Sequence, residues 1–523
     1  MAALAVSGFM GAGLVFQPGL LGLEGGEVYG HAWVQWWHGQ ALPGWPRGTS
    51  LAVGTEDWPV IDPLPTLLAA GIGRLLGVVA GYNAWLLGSV ALAFAGGATL
   101  ARRVNGNPWV GGVALALAPS LVGSLASGLT EDGALGLAAL GLALVTERSL
   151  ARVLLAGVCL GLLAWCGLVL AWYTALAATC LGLWTILRIE VARSERWNRL
   201  VGLILAGALA VLIASPVAGL QGGRLVGEAH EVGQLAVQAE PLWRLNPWRG
   251  ADLASLLTPG RQDVGDALIR VHPGYLGGSL LLLSLAAGRS PFWGVLALGV
   301  ALAPGTSLSW AGEPLGLSNP AVELAHALPL GDRLHHHGRA LLLAAVALSA
   351  LSARGARRLM DSRRLVLRLA GRVAPIAVAL DLALLSPLKT PLPVAGVSPL
   401  DVVAMLEELP DGPLLLVPVA GPGVHPQRPL LDQRVHGRAL VLAPNRPGLP
   451  SALSSHPVGR WLAGLSLPRP SPPPASIEPL PGVAVLVVTT PYVEQVTAVV
   501  GPPDLVGQDG AAWSVARWGT VGL

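Results

Sequence analysis

The first polar stretch of the chain carries side chains that can move a proton. Residues 24–38 read EGGEVYGHAWVQWWH. On a helix, at 100° per residue, four of these side chains fall within about 80° of one another and form a polar stripe: Glu27, His31, Gln35 and His38. A carboxylate one helical turn from an imidazole is suited to general base catalysis on a hydroxyl group. Glu27 and His31 are therefore the candidate catalytic residues, and Glu24 and His38 are secondary candidates.

The opposite side of the same helix is aromatic and consists of Tyr29, Trp33, Trp36 and Trp37. Tyrosine and tryptophan concentrate where a membrane meets water. We expect a helix that lies in this interface, with the aromatic rings at headgroup level and the polar stripe facing a site. The simpler alternative is an interfacial anchor whose polar side only meets water.

A second polar group precedes a late apolar run. Residues 331–339 read GDRLHHHGR, and the apolar run follows directly. Basic and imidazole donors at the start of a helix can bind an anionic phosphate. The candidate phosphate-binding residues are Arg333, His335, His336, His337 and Arg339. The alternative is a patch that contacts lipid headgroups. Adjacent histidines diverge by 100° on a helix, so at most two could share a metal ion, and we assign no metal ligand here.

Two further groups of acids are less informative. Asp57 and Asp62 lie in TEDWPVID, where turns at neighbouring prolines account for acidic residues equally well, and both are secondary candidates. Residues 130–132 read TED and open an apolar run. A threonine cap and two acids at the positive end of a helix explain that triplet without catalysis.

The composition shows which elements must position these residues. Of 523 residues, 53% are hydrophobic and only 12% are charged, and the mean hydropathy is +0.60. That charged share is about half of what soluble proteins carry, so a cytosolic enzyme, a disordered chain and a disulfide scaffold are excluded. The formal net charge is +3, and almost all of the basic residues are arginines. They lie in short clusters between apolar runs, a distribution unlike that of a nucleic-acid-binding groove. The sequence predicts an integral membrane protein.

Eleven apolar segments are candidate membrane spans. They lie at about 2–17, 82–101, 108–124, 132–146, 150–168, 170–187, 199–215, 275–288, 291–304, 339–353 and 366–386. The first is expected to be a span rather than a cleaved signal, and the segment at 64–80 is expected to lie along the membrane surface. With the N-terminus inside, five arginine clusters fall on the inner side, as the positive-inside rule requires. This topology places the C-terminal region outside.

The predicted organisation is a helical polytopic membrane domain followed by a smaller domain. Residues 1–388 form the membrane domain, with outer loops at 18–81, 216–274 and 305–338. Residues 389–523 are rich in proline and contain strand-like runs at Leu414–Val419, Val483–Thr489 and Ala512–Trp518. A helical stretch occupies 401–409, and a proline-rich loop lies at 467–474. The tail therefore predicts a small extracytoplasmic α/β domain.

Several short motifs resemble those of bacterial C-type (GT-C fold) membrane glycosyltransferases. Glu27, His31 and the tryptophans beyond them are similar to the first outer loop of that family, as is the following Pro43-x-Trp45-Pro46. Further similar motifs are Gly81-Tyr82-Asn83, the segment 328–339 that ends in Arg339, and Asp432-Gln433-x2-His436-Gly437. The resemblance covers most of the chain in layout. Many relatives carry aspartate where this chain has Glu27, and two arginines around a proline where it has histidines and Arg339.

The resemblance implies the transfer of a sugar from a polyprenyl-phosphate donor to an acceptor at the outer face, with Glu27 as the general base. Membrane lipid and the lipid-linked sugar are the expected partners, nucleic acid is not, and the acceptor, a glycan, lipid or protein, is left open. No cofactor is assigned, and dependence on a divalent metal is left open. The alternative is a non-catalytic scaffold or glycan-export component whose outer domain binds a partner. ATP-driven transport has no support, because a phosphate-binding loop of the Walker type is absent from the sequence.

Overall fold

The structure of the protein is a computed structural model. It describes residues 1–41, 62–187, 194–217, 250–259 and 274–397, with short gaps at 25, 312, 330, 332–335 and 389, and it describes 412–516 with further gaps. The chain forms two compact units. Unit 1 comprises Met1–Gln17, Ile61–Leu68 and Asn83–Val394, and unit 2 comprises Pro18–Val60, Ala69–Tyr82 and Ala395–Leu523.

Helices dominate the described residues. In chain order they are α1 Ala2–Met10, α2 Val28–Ala41, α3 Pro63–Leu76, α4 Val78–Arg103, α5 Pro108–Ala116, α6 Pro119–Ala126, α7 Leu135–Val145, α8 Leu150–Cys166, α9 Leu168–Leu187, α10 Ser194–Val217, α11 Gly278–Leu285, α12 Phe292–Leu302, α13 Pro320–His326, α14 Ala340–Met360, α15 Leu365–Leu384, α16 Arg428–His436, α17 Pro457–Gly464 and α18 Thr490–Val500. Short 3-10 turns at Thr130–Ala134 and His337–Arg339 lead into α7 and α14.

The strands are short. They are β1 Leu20–Leu21, β2 Ser307–Trp310, β3 Glu313–Ser318, β4 Val394–Ala395, β5 Leu414–Val417, β6 Val485–Val488, β7 Val506–Asp509 and β8 Trp513–Ala516. In unit 1, β2 and β3 form an antiparallel hairpin. In unit 2, β5 pairs with β6 in parallel and β7 pairs with β8 antiparallel.

Five segments in the described residues are long and apolar enough to cross a membrane, in agreement with an integral membrane protein. They are Val78–Arg103, Pro108–Ala126, Leu168–Leu187, Ser194–Val217 and His337–Met360. Three shorter apolar helices are α3, α8 and α12. The predicted number of eleven spans is therefore not confirmed.

The predicted segments at 2–17 and 64–80 are each broken in the structure. The run at 2–17 is not one helix, because α1 has only nine residues and gives way to a separate 3-10 turn at Ala12–Val15. Nine residues rise about 14 Å, which is half of the hydrocarbon thickness. The run at 64–80 is interrupted at Gly77, whose positive φ of 92° ends α3 and allows α4 to start. Local backbone geometry, rather than composition, sets both boundaries.

The core of unit 1 is built around α14, which is almost entirely buried and packs against α5, α11, α12 and α15. Close packing of α4 depends on glycine at two of its crossings. A Cβ atom at Gly97 would lie 2.3 Å from the carbonyl oxygen of Gly111, and one at Gly136 would lie 2.2 Å from that of Leu92. Small residues of this kind let membrane helices approach closely.

One end of unit 1 gathers arginines from clusters far apart in sequence. Glu147 pairs with Arg103 at 2.5 Å and with Arg152 at 3.0 Å. Glu195 in the same way pairs with Arg148 at 3.5 Å and with Arg199 at 2.9 Å. Three of the five predicted clusters are therefore neighbours.

Backbone contacts extend this group to the other two clusters. The amide of Asn107 donates to the carbonyl oxygen of Ala353 at 2.8 Å, next to the cluster that starts at Arg354. Arg358 in turn donates to the carbonyl oxygen of Ala286, close to the cluster at Arg289. All five arginine clusters thus adjoin one another in unit 1, as expected if they share one side. Which side of the membrane they face stays a prediction.

Asp381 is the one acid that the sequence places deep in an apolar run. In the structure its carboxylate is hydrogen-bonded to residues at the start of α11. Its carboxylate accepts a hydrogen bond from the Tyr275 hydroxyl at 2.6 Å and one from the Ser279 amide at 2.7 Å. The Tyr275 hydroxyl in turn accepts from the Gly278 amide at 2.9 Å. These bonds satisfy amides at the start of α11, which lack partners within their own helix.

Replacing Asp381 with alanine is therefore expected to destabilise the protein. Hydrogen bonds to a charged group contribute about 1.5 to 3 kcal/mol each, and removal of the carboxylate also leaves an amide at the start of α11 without its acceptor. Thermal unfolding in detergent, followed by tryptophan fluorescence, should show a lower Tm. The control is Asp361→Ala, which removes an acid from an exposed pair with Arg357 and should leave the Tm almost unchanged. Equal Tm values for the two variants would contradict this role of Asp381.

In unit 2, β5 and β6 form a buried pair. All four residues of each strand are buried, and Leu414 lies opposite Val485 at the start of the register. Continuous runs of leucine and valine are typical of parallel strands covered on both faces. A cluster with Trp461 and Leu462 of α17 packs on these strands.

The three strand-like runs of the tail each contain an observed strand, β5, β6 or β8. The predicted helical stretch at 401–409 and most of the proline-rich loop lie outside the described residues. Contacts group the tail with residues 18–60 and 69–82, whereas the sequence predicts a division at 388/389 alone. The separate α/β domain stays a prediction.

Candidate functional site

Buried polar residues in unit 1 collect where three helices begin. Asp62 directly precedes α3, the turn Thr130–Ala134 leads into α7, and the turn His337–Arg339 leads into α14. The N-terminal ends of helices carry partial positive charge and free amides, so acidic residues are stabilised there. An arginine at the same kind of end needs an acidic partner, and the structure supplies two.

Arg339 lies between these two carboxylates. Its Nη2 donates to Oε1 of Glu131 at 2.5 Å, and its Nε lies 3.6 Å from Oδ2 of Asp132. Asp132 also accepts a hydrogen bond from the Ser124 hydroxyl at 2.8 Å. Arg339 is 8% exposed, Glu131 5% and Asp132 0%, so the ion pairs are shielded from bulk solvent.

Asp62 adds a third buried carboxylate to the group. Its two oxygens accept hydrogen bonds from the hydroxyls of Thr66, at 3.0 Å, and Thr130. The carbonyl oxygen of Thr130 accepts from the Trp85 indole at 3.0 Å, which fixes the turn before α7. A carboxylate oxygen of Asp62 lies within 4.8 Å of one from Glu131. We call Asp62, Glu131, Asp132 and Arg339 the carboxylate–arginine cluster.

The charges of the carboxylate–arginine cluster define what it can bind. Three carboxylates against one guanidinium give a formal charge of −2 if all are ionised. Charge is poorly screened away from water, so such a group favours a further cation or a proton. Paired carboxylates are also ligands that Mg²⁺ accepts while it keeps several of its waters. Arg339 is the cationic side chain of this cluster, and a guanidinium stays charged and binds phosphate oxygens in pairs, so it can hold an anion once a cation or protons balance the carboxylates.

The predicted phosphate-binding residues are only partly described. His337 is buried and its ring centre lies 5.4 Å from that of His326, whereas His336 is exposed. Arg333, His335 and the secondary candidate Asp57 lie outside the described residues. Arg339 and the secondary candidate Asp62, which are 277 positions apart in sequence, both belong to the carboxylate–arginine cluster.

For residues 130–132 the predicted threonine cap is wrong, because the Thr130 hydroxyl donates to Asp62 and the turn shows no side-chain cap. Glu131 and Asp132 do lie in the first turn, as predicted. They also hold Arg339. The available signal was three adjacent polar residues in a very apolar stretch. The sequence did not identify Glu131 and Asp132 as partners of Arg339, because the positive end of a helix already explains two acids at that place.

In unit 2, the predicted catalytic pair is formed. His31 Nε2 lies 3.5 Å from a carboxylate oxygen of Glu27, one helical turn away, and the side chain of Glu27 is 54% exposed. Glu24 is exposed and accepts a hydrogen bond from the Tyr29 hydroxyl at 3.1 Å, a hydroxyl that also lies 3.1 Å from the carbonyl oxygen of Gly396. Glu27 is therefore open to solvent, and Glu24 has a different partner.

The prediction of an aromatic side at headgroup level is wrong for Tyr29 and Trp33 of α2, whereas Trp36 and Trp37 are only partly buried. Tyr29 and Trp33 are fully buried in unit 2, and the Trp33 indole donates to Oε1 of Gln433 in α16 at 2.7 Å. The far end of the polar stripe is buried as well, since Gln35 is 1% and His38 2% exposed. Packing against α16 encloses this helix, and periodicity alone did not reveal that partner.

Loss of the Trp33 indole nitrogen is expected to destabilise unit 2. The change Trp33→Phe keeps an aromatic ring but leaves the buried Gln433 oxygen without its donor, at a cost of about 1 to 3 kcal/mol. Limited proteolysis at the tail should become several-fold faster. Trp184→Phe alters an exposed tryptophan in unit 1 and should leave the cleavage rate unchanged. Unchanged cleavage of Trp33→Phe would contradict the proposed role.

No known protein family matches the sequence, and no curated protein matches it either. Among solved structures, the chain is similar to two cryo-EM structures of the arabinofuranosyltransferase AftD from mycobacteria, one of them a mutant. Identity is 16% in both cases, with TM-scores of 0.47 and 0.48. The alignments cover 93% of this chain but only 34% and 36% of those chains, so the chain spans about a third of their length.

Proposed function

We propose that the chain is a membrane glycosyltransferase that moves a sugar from a polyprenyl-phosphate donor to an acceptor at the outer face of the membrane. The observation that carries this proposal is the carboxylate–arginine cluster at the start of α14. A guanidinium held between two buried carboxylates at the end of an apolar helix is costly to maintain in a membrane protein. Ionisable groups in such positions are commonly retained for binding or chemistry.

In the proposed reaction, Arg339 stabilises the leaving phosphate. Cleavage of the bond between the anomeric carbon and the phosphate oxygen leaves the electron pair, and the negative charge, on the phosphate. Fixed cationic donors lower the energy of that developing charge. His337 lies two residues away and is a further donor in its protonated form. Arg333, His335 and His336 belong to the same proposed phosphate-binding set.

Glu27 is the proposed general base. It accepts the proton of the acceptor hydroxyl while the acceptor oxygen bonds to the anomeric carbon. His31, 3.5 Å away, positions the carboxylate. One direct displacement inverts the configuration at the anomeric carbon. Glu24 and His38, together with Asp57 and Asp62, remain secondary candidates.

The proposed setting is the cytoplasmic (inner) membrane of a bacterium, with the N-terminus inside and the C-terminal α/β region outside. The adjacency of all five arginine clusters in unit 1 supports a common inner side for them. A donor whose hydrocarbon tail is embedded in the membrane explains why the site is built at the ends of apolar helices. The resemblance of the first outer loop to GT-C glycosyltransferases agrees with the same chemistry.

A transfer assay tests the proposal. The purified chain is reconstituted in liposomes with a panel of labelled polyprenyl-phosphate sugars and a cell-envelope extract as acceptor. We expect protein-dependent movement of label from the lipid into product, and none when sugar nucleotides replace the lipid donors. Empty liposomes provide the background. Label transfer from sugar nucleotides, or none from any polyprenyl-phosphate sugar, would contradict the proposed donor class.

A further inference from the structure

The hairpin β2–β3 of unit 1 has one apolar face that the described residues leave exposed. Trp310 lies opposite Glu313 in the register, so the two side chains share a face, and alternation along β3 adds Leu315 and Leu317 to it. Trp310 is 54% exposed, Leu315 46% and Leu317 58%. The other face of β3 carries Pro314, Gly316 and Ser318 and has no leucine or aromatic side chain, so the hairpin is amphipathic.

This hairpin is held firmly at its base. The side-chain amide of Asn319, directly after β3, donates to the carbonyl oxygen of Ala301 in α12 at 2.8 Å. The Asn319 backbone amide donates to the carbonyl oxygen of Thr306 at 3.0 Å, directly before β2. Asn319 is 4% exposed, so these bonds are buried. The base of the hairpin is thereby fixed to the end of α12.

A second buried side chain fixes the tip of the hairpin. Oδ1 of Asp252 accepts a hydrogen bond from the amide of Ala311 at 3.0 Å, in the turn between the strands. The Leu253 amide donates to the carbonyl oxygen of Ser309 at 3.0 Å along one strand edge. Two anchors that lie outside the hairpin therefore set its orientation, and the exposed apolar face is a fixed feature rather than a loose loop.

The position of the hairpin in unit 1 indicates what surrounds its apolar face. Near the start of α12, the Trp293 indole donates to the carbonyl oxygen of Gly288, beside the arginine end of unit 1. Four residues separate the end of α12 from β2, which is at most about 14 Å of chain. At the other end of the hairpin, α13 brings His326 against His337, before α14. The hairpin thus lies between the ends of apolar helices, at the end away from the arginine clusters.

We propose that the apolar face of β2–β3 rests in the membrane interface and contacts lipid. Its composition fits that place, because tryptophan prefers the headgroup level and leucine the hydrocarbon just below it. Glu313 and the serines keep the tip and the opposite face compatible with water. Backbone groups at the free strand edge can be hydrated in the interface, whereas the hydrocarbon interior would leave them unsatisfied. This contact does not depend on the proposed reaction.

Site-specific labelling tests the contact. In the full chain, Cys159, Cys166 and Cys180 are replaced with alanine and a single cysteine is introduced as Leu317→Cys, then labelled with a fluorophore. The matched control is Ser318→Cys, the neighbouring exposed residue on the opposite face. Each protein is reconstituted as one copy per nanodisc. We expect bromine-labelled lipids to quench the label at 317 several-fold more than the label at 318, and aqueous iodide to show the reverse order.

A second labelled variant, Leu315→Cys, lies on the same apolar face and is expected to follow Leu317→Cys. Both leucines are about half exposed, so agreement between the two variants would show that the quenching reflects the face and not one particular substitution. Equal quenching at 317 and 318 by both reagents would contradict lipid contact. Protection of the label at 317 from lipid and iodide alike would also overturn the proposal, since it would show that protein covers the face.

Discussion

Replacing Arg339 with alanine is expected to destabilise the protein by about 3 to 5 kcal/mol, because Glu131 and Asp132 would lose the cation that compensates their buried charge. Thermal or denaturant unfolding in detergent, followed by tryptophan fluorescence, measures the change. An exposed pair provides the matched control. Arg357→Ala removes an arginine from its pair with Asp361, and both of these side chains are more than half exposed, so the expected change is below about 1 kcal/mol.

A compensating variant separates the lost charge from the lost packing volume. The triple variant combines Arg339→Met, Glu131→Gln and Asp132→Asn. These substitutions keep most of the side-chain volume and remove the charges at all three positions. We expect this triple variant to recover more than half of the stability lost in Arg339→Ala, because positions 131 and 132 then carry no charge that needs Arg339. A triple variant as unstable as Arg339→Ala would show that packing, and not charge, explains the effect.

Glu27→Gln is expected to lower the rate of sugar transfer by about 10²- to 10⁴-fold, because an amide of almost the same shape cannot accept the acceptor proton. The assay is label transfer from the polyprenyl-phosphate sugar in liposomes. The fold should be unaffected, since Glu27 is 54% exposed and its partner His31 is one turn away. Equal Tm values for Glu27→Gln and the unchanged protein would show that stability does not account for the loss.

The matched control is Glu24→Gln, three residues earlier in the same loop. Glu24 accepts from Tyr29 and is not paired with His31, so we expect nearly full activity. Wild-type activity in Glu27→Gln would remove Glu27 as the base and would favour one of the secondary acids. Equal loss in both variants would indicate a general electrostatic effect of the loop rather than proton transfer.

Much of the architecture followed from composition, because apolar helices and buried strands leave simple patterns. The predicted run at 170–187 lies within α9, the run at 339–353 covers the first two thirds of α14, and the strand-like runs at 414–419 and 483–489 contain β5 and β6. The adjacency of the arginine clusters also followed, since a chain with so few charges concentrates them where water is available. Helix ends such as Gly77 were not predicted, because a single backbone conformation decides them.

The candidate site was predictable only where its residues are close in sequence. The pair Glu27–His31 depends on helical spacing alone and is formed as expected. Arg339 and Glu131 are 208 positions apart, and Trp33 and Gln433 are 400 apart. No local pattern encodes such partners. The sequence therefore offers only local explanations for acids at a helix start and for aromatic rings on one side of a helix. The structure adds a distant partner to each, Arg339 for Glu131 and Gln433 for Trp33.

The bonds at the start of α11 also have a consequence for the order in which the chain is assembled. The Ser279 amide and the Asp381 carboxylate that accepts from it are 102 residues apart. At 5–20 residues per second, a ribosome needs about 5 to 20 s to synthesise that length. Amides at the start of α11 lack this acceptor until α15 has entered the membrane. The segment containing α11 is therefore expected to stay beside the insertion machinery, or near water, until the later helix arrives.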